Sequence, residues 1–296
     1  TRNADRPAEI TVTGSGERVG GLLGYMWGST VTNVYATGAT TGGSQVGGLI
    51  GPRNALGAGP STLTNAYWNT DMRAVGFGFG IGTGGTGLNT SQMMSPSSFT
   101  GFTFTSTPGL TGNNWVNVGS NGNLNVAGGT LPMLASEYST NIANGHQLQL
   151  IQMDLGGQYR QTQHIDLTAA MANPSGTWGA TDGFFALGGV FGGSYDGGSL
   201  TISGLKINRP GQSYQGLFAS TSPTSSIRNV GLVGGSTSGT TYIGSLVGLL
   251  RGTVSNSFSS ANVNAFNLSG GLVGYTEPTG VISNSYASGT VSAGNA

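Results

Sequence analysis

Residues 270–291 read GGLVGYTEPTGVISNSYASGTV, and residues 19–40 read VGGLLGYMWGSTVTNVYATGAT. Each opens on paired glycines and a short apolar cluster. Each then reaches an asparagine, Asn284 or Asn33, with a tyrosine two residues later, Tyr286 or Tyr35. The same order occurs five times, from Leu22 to Asn33, Leu49 to Asn65, Leu217 to Asn229, Leu246 to Asn256 and Leu272 to Asn284. From asparagine to the next GGL the gap is 14 residues both from Asn33 to Gly47 and from Asn256 to Gly270. One unit is therefore 26–27 residues, the spacing of Leu22 from Leu49 and of Leu246 from Leu272.

Within a unit, stretches such as GTVSNSFSSANV (252–263) alternate apolar and small polar residues with period two, as half-buried strands do. No stretch of ten or more residues has helical periodicity, and glycine and β-branched residues both disfavour helix. Such short strands cannot make a sheet one unit at a time. Stacked units can, because each strand then pairs with its copy about 4.8 Å away. The expected fold is all-β, a right-handed parallel β-helix. About 24 residues per coil would give about a dozen coils and a rod on the order of 55–60 Å. Leu22, Leu49, Leu217, Leu246 and Leu272 should point inward.

Composition narrows the function. The 296 residues include 56 glycines, only 7% are charged, and ten basic residues balance ten acidic ones. With no basic stripe, nucleic acid is a poor partner, since non-specific binding needs several phosphates neutralised together. There is no cysteine, so neither disulfides nor cysteine metal sites arise. No apolar run has the roughly 18–20 residues of a transmembrane helix. The opening TRNADRPAEI lacks a signal-peptide core, so an export signal would lie outside this sequence.

The two quoted stretches resemble the GLUG repeat of large bacterial secreted adhesins, the filamentous-haemagglutinin-like proteins of two-partner secretion. His164 to Ser220 resembles the segment that opens a block of such repeats. NAYWNTD (65–71), GTGLNTSQMMSPSSFTGFTF (85–104), NNWV (113–116) and LPML (131–134) resemble the segment that closes one. The resemblance implies a right-handed β-helix, secretion to the extracellular space or cell surface, and adhesive or filament-forming roles. The closing segment precedes the opening one. Residues 1–134 are thus expected to hold the coils and closing segment of one block, and 135–296 the opening segment and coils of the next, with a bend near Ala135–Asn144. Thr290-Val291-Ser292 also resembles Thr11-Val12-Thr13, which suggests a longer tandem array whose last coil continues into another copy or meets an end-to-end neighbour.

Candidate chemistry is sparse. Asp154, Asp166, Asp182 and Asp196 are 12, 16 and 14 residues apart, spacings that do not align them in neighbouring coils. They read as turn residues rather than paired catalytic carboxylates, with Lys206, the only lysine, and Arg209 as the basic residues nearby. Gly80, Gly82 and Gly85 satisfy G-x-G-x-x-G but lack the following helix and acid of a dinucleotide site. His146 and His164, the only histidines, lack metal-ligand spacing. Asn89 and Asn267 begin glycosylation sequons. Asn33, Asn65, Asn229, Asn256 and Asn284 read either as a corner ladder bonded from coil to coil or as a sugar-binding row. Tyr35, Tyr67, Phe258 and Tyr286 read as stacked aromatics or as a ligand platform.

No catalytic, cofactor-binding or metal-ligating residue is assigned. The expected function is a structural and adhesive β-helical module of a giant secreted or cell-surface protein. Its partners would be further copies of the block, host or surface glycans, or other cells. The alternative is a β-helical carbohydrate-active enzyme or carbohydrate-binding module, which would need at least three acidic and basic groups converging on one lateral groove. An ice- or mineral-binding face would need regular threonine arrays, and the threonines are irregularly placed.

Overall fold

The computed structural model describes residues 18–42, 44–52, 61–72, 77–79 and 85–294. Gly80, Gly82 and Thr11–Thr13, singled out above, lie outside them. The chain is nearly all β, and its strands pair in parallel to form a solenoid of about nine turns. In the first stack Arg18 pairs with Gln45, Leu23 with Ile50 and Ile50 with Phe77, each 27 residues on. In the second stack one six-strand path runs from Asn141–Ile142 through Gln158–Gln161, Ser194–Ser203, Ser226–Val233 and Thr253–Ser255 to Val281–Ser283.

The coil count of about nine corrects the expected dozen, for two reasons. Early coils of the second stack are long, with Arg160 opposite Asp196 and Asp196 opposite Arg228. Much of the chain between the stacks is also not coil. It forms a small sheet in which Met133–Leu134 runs antiparallel to Asn114–Val116, and the short helices Thr90–Met93 and Gly145–Leu150. No described helix exceeds six residues, as the lack of helical periodicity implies. Coil length settles only where the repeats begin: Arg228 pairs with Ser255, and Ser255 with Ser283.

The five repeat asparagines all sit at corners, with φ between 47° and 56°. An L-residue in this left-handed region is strained, and asparagine tolerates it better than other side chains. Each asparagine therefore turns the chain between two strand segments while the strands on both sides stay in register. The coil-to-coil ladder is present between the first two, where Asn65 Nδ2 donates to Asn33 Oδ1 at 2.8 Å. In the second stack Asn229 Nδ2 donates instead to Asp196 Oδ1 at 2.9 Å.

Inside the corners the apolar positions stack. Leu49, Leu217 and Leu246 are fully buried and Leu272 nearly so. Leu22 is the exception, 38% exposed. Its amide bonds to Leu49 O at 2.8 Å as the register demands, but it lies on the first described coil, with one stacked neighbour instead of two. Tyr159, Tyr195, Ile227 and Val254 form another buried column, which ends at the 45%-exposed Ile282 on the last described coil.

Leu246→Ala, in mid-stack, should cost about 2–5 kcal/mol of unfolding free energy. Leu22→Ala should cost well under half as much, both read by urea denaturation. Asn65→Gly, which keeps the left-handed corner, should be milder than Asn65→Val by more than ~1 kcal/mol.

Candidate binding groove and the joint beside it

The groove lies on the side of the second stack, where the loop of the closing segment at Asn121 faces the coils. It encloses about 490 Å³ and is walled by Asn121, Phe185, Arg209, Tyr214, Gln215 and Arg251, among others. That volume falls in the range of small-molecule sites. Tyr214 and Tyr242 occupy equivalent corners of successive coils, with φ of 59° and 62°, which is unusual for bulky side chains. Their rings stack at 4.9 Å, and Tyr275 adds a third ring 5.4 Å from Tyr242. A tyrosine ladder thus leads out of the groove along the solenoid.

Both groove arginines are already engaged. Arg209 lies over the Phe185 ring at 4.3 Å and donates to the carbonyls of Asp182 at 2.6 Å and Asn208 at 3.0 Å. Burial pulls its guanidinium below its ordinary pKa, opposed by Asp182. Arg251 makes a two-pronged pair with Glu277, at 2.7 and 2.9 Å, and donates to Ser220 Oγ at 3.1 Å. The hydrogen bond to Glu277 raises its pKa. Among the described residues no carboxylate lines the groove, so its chemistry is that of an aromatic wall with fixed N–H donors.

The acids named from sequence go to separate turns. Asp154 Oδ1 accepts from Gly156 N at 3.1 Å, Asp166 Oδ1 from Thr168 N at 3.0 Å, and Asp196 Oδ1 from Gly198 N at 3.0 Å. Each is the two-residue-ahead contact of an Asx turn. Burial works against the charge of Asp196, yet bonds from Asn229, Gly198 and Arg228 hold its carboxyl below the usual range. Asp182 lies 3.8 Å from Arg209. Lys206 donates to Ala180 O at 2.6 Å. Among the described residues no group of three or more His, Asp or Glu could hold a metal ion. Asn89 caps the helix Thr90–Met93, accepting from Gln92 N at 2.8 Å, and Asn267 Oδ1 accepts from Leu268 N. His164 Nδ1 contacts Thr201 Oγ1 at 2.8 Å.

His146 has a larger role than its lone position in the sequence suggests. It sits between Glu137, Nδ1···Oε2 2.6 Å, and Thr177, Nε2···Oγ1 2.8 Å. The order acid–imidazole–hydroxyl is that of a nucleophile relay. Thr177, however, is only 7% exposed, and none of the three lines the groove. Thr177 O also accepts from Leu131 N at 2.9 Å, tying the closing segment to the opening one. The relay thus links three positions on one side of the joint, and the Thr177 carbonyl carries the contact to Leu131. Burial of Glu137 raises its pKa, but the bonds from His146 and Leu134 outweigh it and hold the carboxyl low.

Three buried glutamines lie beside the joint, one of which reaches across, and sequence reasoning missed them. Gln149 Oε1 accepts from Trp178 Nε1 and Phe185 N, while its Nε2 donates to Phe185 O. Gln152 Nε2 donates to Gly122 O and Gly188 O, and its Oε1 accepts from Gly188 N, so one amide bridges both blocks. Gln161 accepts from the Tyr195 hydroxyl at 3.1 Å. The signal was the run LQLIQM (148–153), where glutamine interrupts an apolar stretch at helical spacing.

Gln152→Leu should destabilise the fold by about 1–3 kcal/mol for each group left unsatisfied at the joint. Because Glu137 is held low, its stabilisation is fully present above the ordinary glutamate pKa of about 4.3 and lost as pH falls through its lowered value. Glu137→Gln should therefore flatten the acid limb of a stability–pH profile.

With this geometry in place, likeness to known proteins is informative. The GLUG motif matches residues 15–41 and 267–292. Over 135 residues, 44% of the chain, it is 33% identical to Halomucin of Haloquadratum walsbyi, and the match covers 1% of that protein. Over 101 residues, 33% of the chain, it is 36% identical to a putative Gly-rich membrane protein of Evansella cellulosilytica, with 11% of that protein covered. The chain thus spans a small part of the curated relatives it matches. No solved structure matches it. No described helix is long and apolar enough to cross a membrane. The chain is a β-solenoid that carries the GLUG motif in two regions, whose described residues lie on the coils near either end of the described solenoid.

Proposed function

We propose that this chain is a rod-forming, non-catalytic module of a secreted or cell-surface protein that mediates attachment. The GLUG repeat and the solenoid fit a structural module of a large surface protein. The observation that carries the reading is the shared closing segment. Along Asn114–Val116 the side chains alternate, so that Trp115 enters the aromatic core of the first block and Val116 the core of the second. Leu131, just before the strand Met133–Leu134, also enters the first core, and Met133 enters the second. One short sheet thus belongs to two cores, which makes neighbouring blocks turn and pull together. A rigid spacer needs that property and a hydrolase does not.

A glycan is the attachment target best suited to the groove. The tyrosine ladder offers ring faces for sugar C–H groups, and the arginine and glutamine donors suit hydroxyls.

Two experiments check these statements. Chains of one, two and three tandem copies, measured by small-angle scattering, should lengthen by a constant increment per copy; collapse to a compact particle would count against the rod. In affinity electrophoresis through a panel of soluble polysaccharides, at least one should retard the chain, with Tyr214→Ala losing most of the retardation. No shortened sugar product should appear. Product release would favour the carbohydrate-active alternative, and no retardation by any polysaccharide would remove the glycan target.

A further inference from the structure

The first block covers its aromatic ladder with its own closing segment, and the second block carries the same ladder bare. Residues 62–67 read TLTNAY and residues 281–286 read VISNSY. In both, the left-handed asparagine corner is followed by a residue and then the ring. Tyr35 pairs in register with Tyr67, and Phe258 with Tyr286. In the first pair Phe99 packs on both rings, at 5.9 and 4.9 Å, with Phe102 on Tyr67 at 5.5 Å and Trp115 on Tyr35 at 5.7 Å. The two hydroxyls donate to closing-segment carbonyls, Tyr67 to Thr100 O at 2.6 Å and Tyr35 to Pro132 O at 2.7 Å. Gly101, at φ +88°, lies so close to Asn65 that a Cβ there would meet its amide at 2.1 Å. The contact is built for the corner as well as for the rings.

In the second pair the rings stack flat on each other, 5.4 Å apart and 10° from parallel. Phe258 lies against Gly231 on its other side, where a Cβ would meet the ring at 2.7 Å. It has neighbours above and below, yet remains half-buried. Tyr286, on the last described coil, is 62% exposed, against 4% for Tyr67. At Phe258, which has both neighbours, what is missing is the lateral cover.

We infer that the Phe258–Tyr286 face, with the Asn256 and Asn284 corners, is a docking surface for a closing segment of the kind formed by residues 89–134. The occupant supplies an aromatic cluster for the two rings, a glycine against the Asn284 corner, and a backbone carbonyl for the Tyr286 hydroxyl. Phe258 has no hydroxyl, so the bond that Tyr35 makes to Pro132 has no counterpart, and the Tyr286 side anchors the contact. The inference is independent of whether the module attaches to anything.

The test appends a second copy of residues 78–134 directly after Ala296. This places the copy at the distance from Tyr286 that the original has from Tyr67. Hydrogen exchange read by mass spectrometry should show the amides of 281–287 slowed at least tenfold relative to the unextended chain. The appended copy should be protected to the level of its original. Tyr286→Ser in the extended chain should return both to fast exchange; the position is exposed, so the unextended chain tolerates the change. The assignment is overturned if the appended copy stays unprotected, or folds without slowing 281–287. A concentration-dependent dimer of the unextended chain with Tyr286 protected would instead assign the face to a second copy, and would equally overturn it.

Discussion

Each strand segment here is too short to hold itself, so its N–H and C=O groups must be met by another coil some 27 residues away. Parallel pairing at about 4.8 Å fixes the separation. An unpaired buried backbone group is costly, so the register cannot drift. The stacking of Leu217, Leu246 and Leu272 follows from this, since residues in register point the same way from coil to coil. So does the placement of the corners, because a bend that occurred at different positions in neighbouring coils would break the ladder. Asparagine at φ 47–56° in all five repeats is the local solution. Its side chain stays available for a neighbour, whether Asn33 or Asp196.

A solenoid satisfies its coils in the middle of the stack and leaves its ends open, and the segments between blocks address that. The closing segment buries Val116, Val118 and Met133 against the second block while Phe99, Phe102 and Trp115 cover the first. The opening segment contributes Gln149, Gln152 and Gln161, whose amides satisfy backbone groups that no regular coil reaches. Polar side chains can be buried there because each amide is bonded at both its oxygen and its nitrogen. Function, on this view, resides in the geometry that couples the blocks and in the groove formed where they meet.

Much of the fold was legible in the sequence because one residue pattern repeats at one spacing. Leu22 and Leu49 are bonded as that spacing requires. What the pattern could not report was the length of unpatterned coils, such as the one from Arg160 to Asp196, and this is why the coil number came out too high. The aspartates were legible as turn residues, since an Asx turn depends on two neighbours only. The Glu137–His146–Thr177 relay was not, because its members are 9 and 31 residues apart on segments without a repeat. The groove was hidden for the same reason: Asn121 and Tyr214 meet only through tertiary packing. The exposure of Leu22 depends on its place in the stack, which the repeat alone does not encode.

The central claim is the register, and it can be trapped covalently because the chain has no cysteine of its own. Ser255 and Ser283 are partners in adjacent coils. At about 4.8 Å their Cα separation falls within the 4.4–6.8 Å that a disulfide spans. Ser255→Cys combined with Ser283→Cys should form an intramolecular disulfide in the folded protein under mild oxidation, read as the loss of free thiols by mass spectrometry. The offset pair, Ser255→Cys with Ser285→Cys, should stay reduced under the same conditions. Equal cross-linking of both pairs, or cross-linking of the offset pair alone, would contradict the 28-residue register and the stacked solenoid built on it.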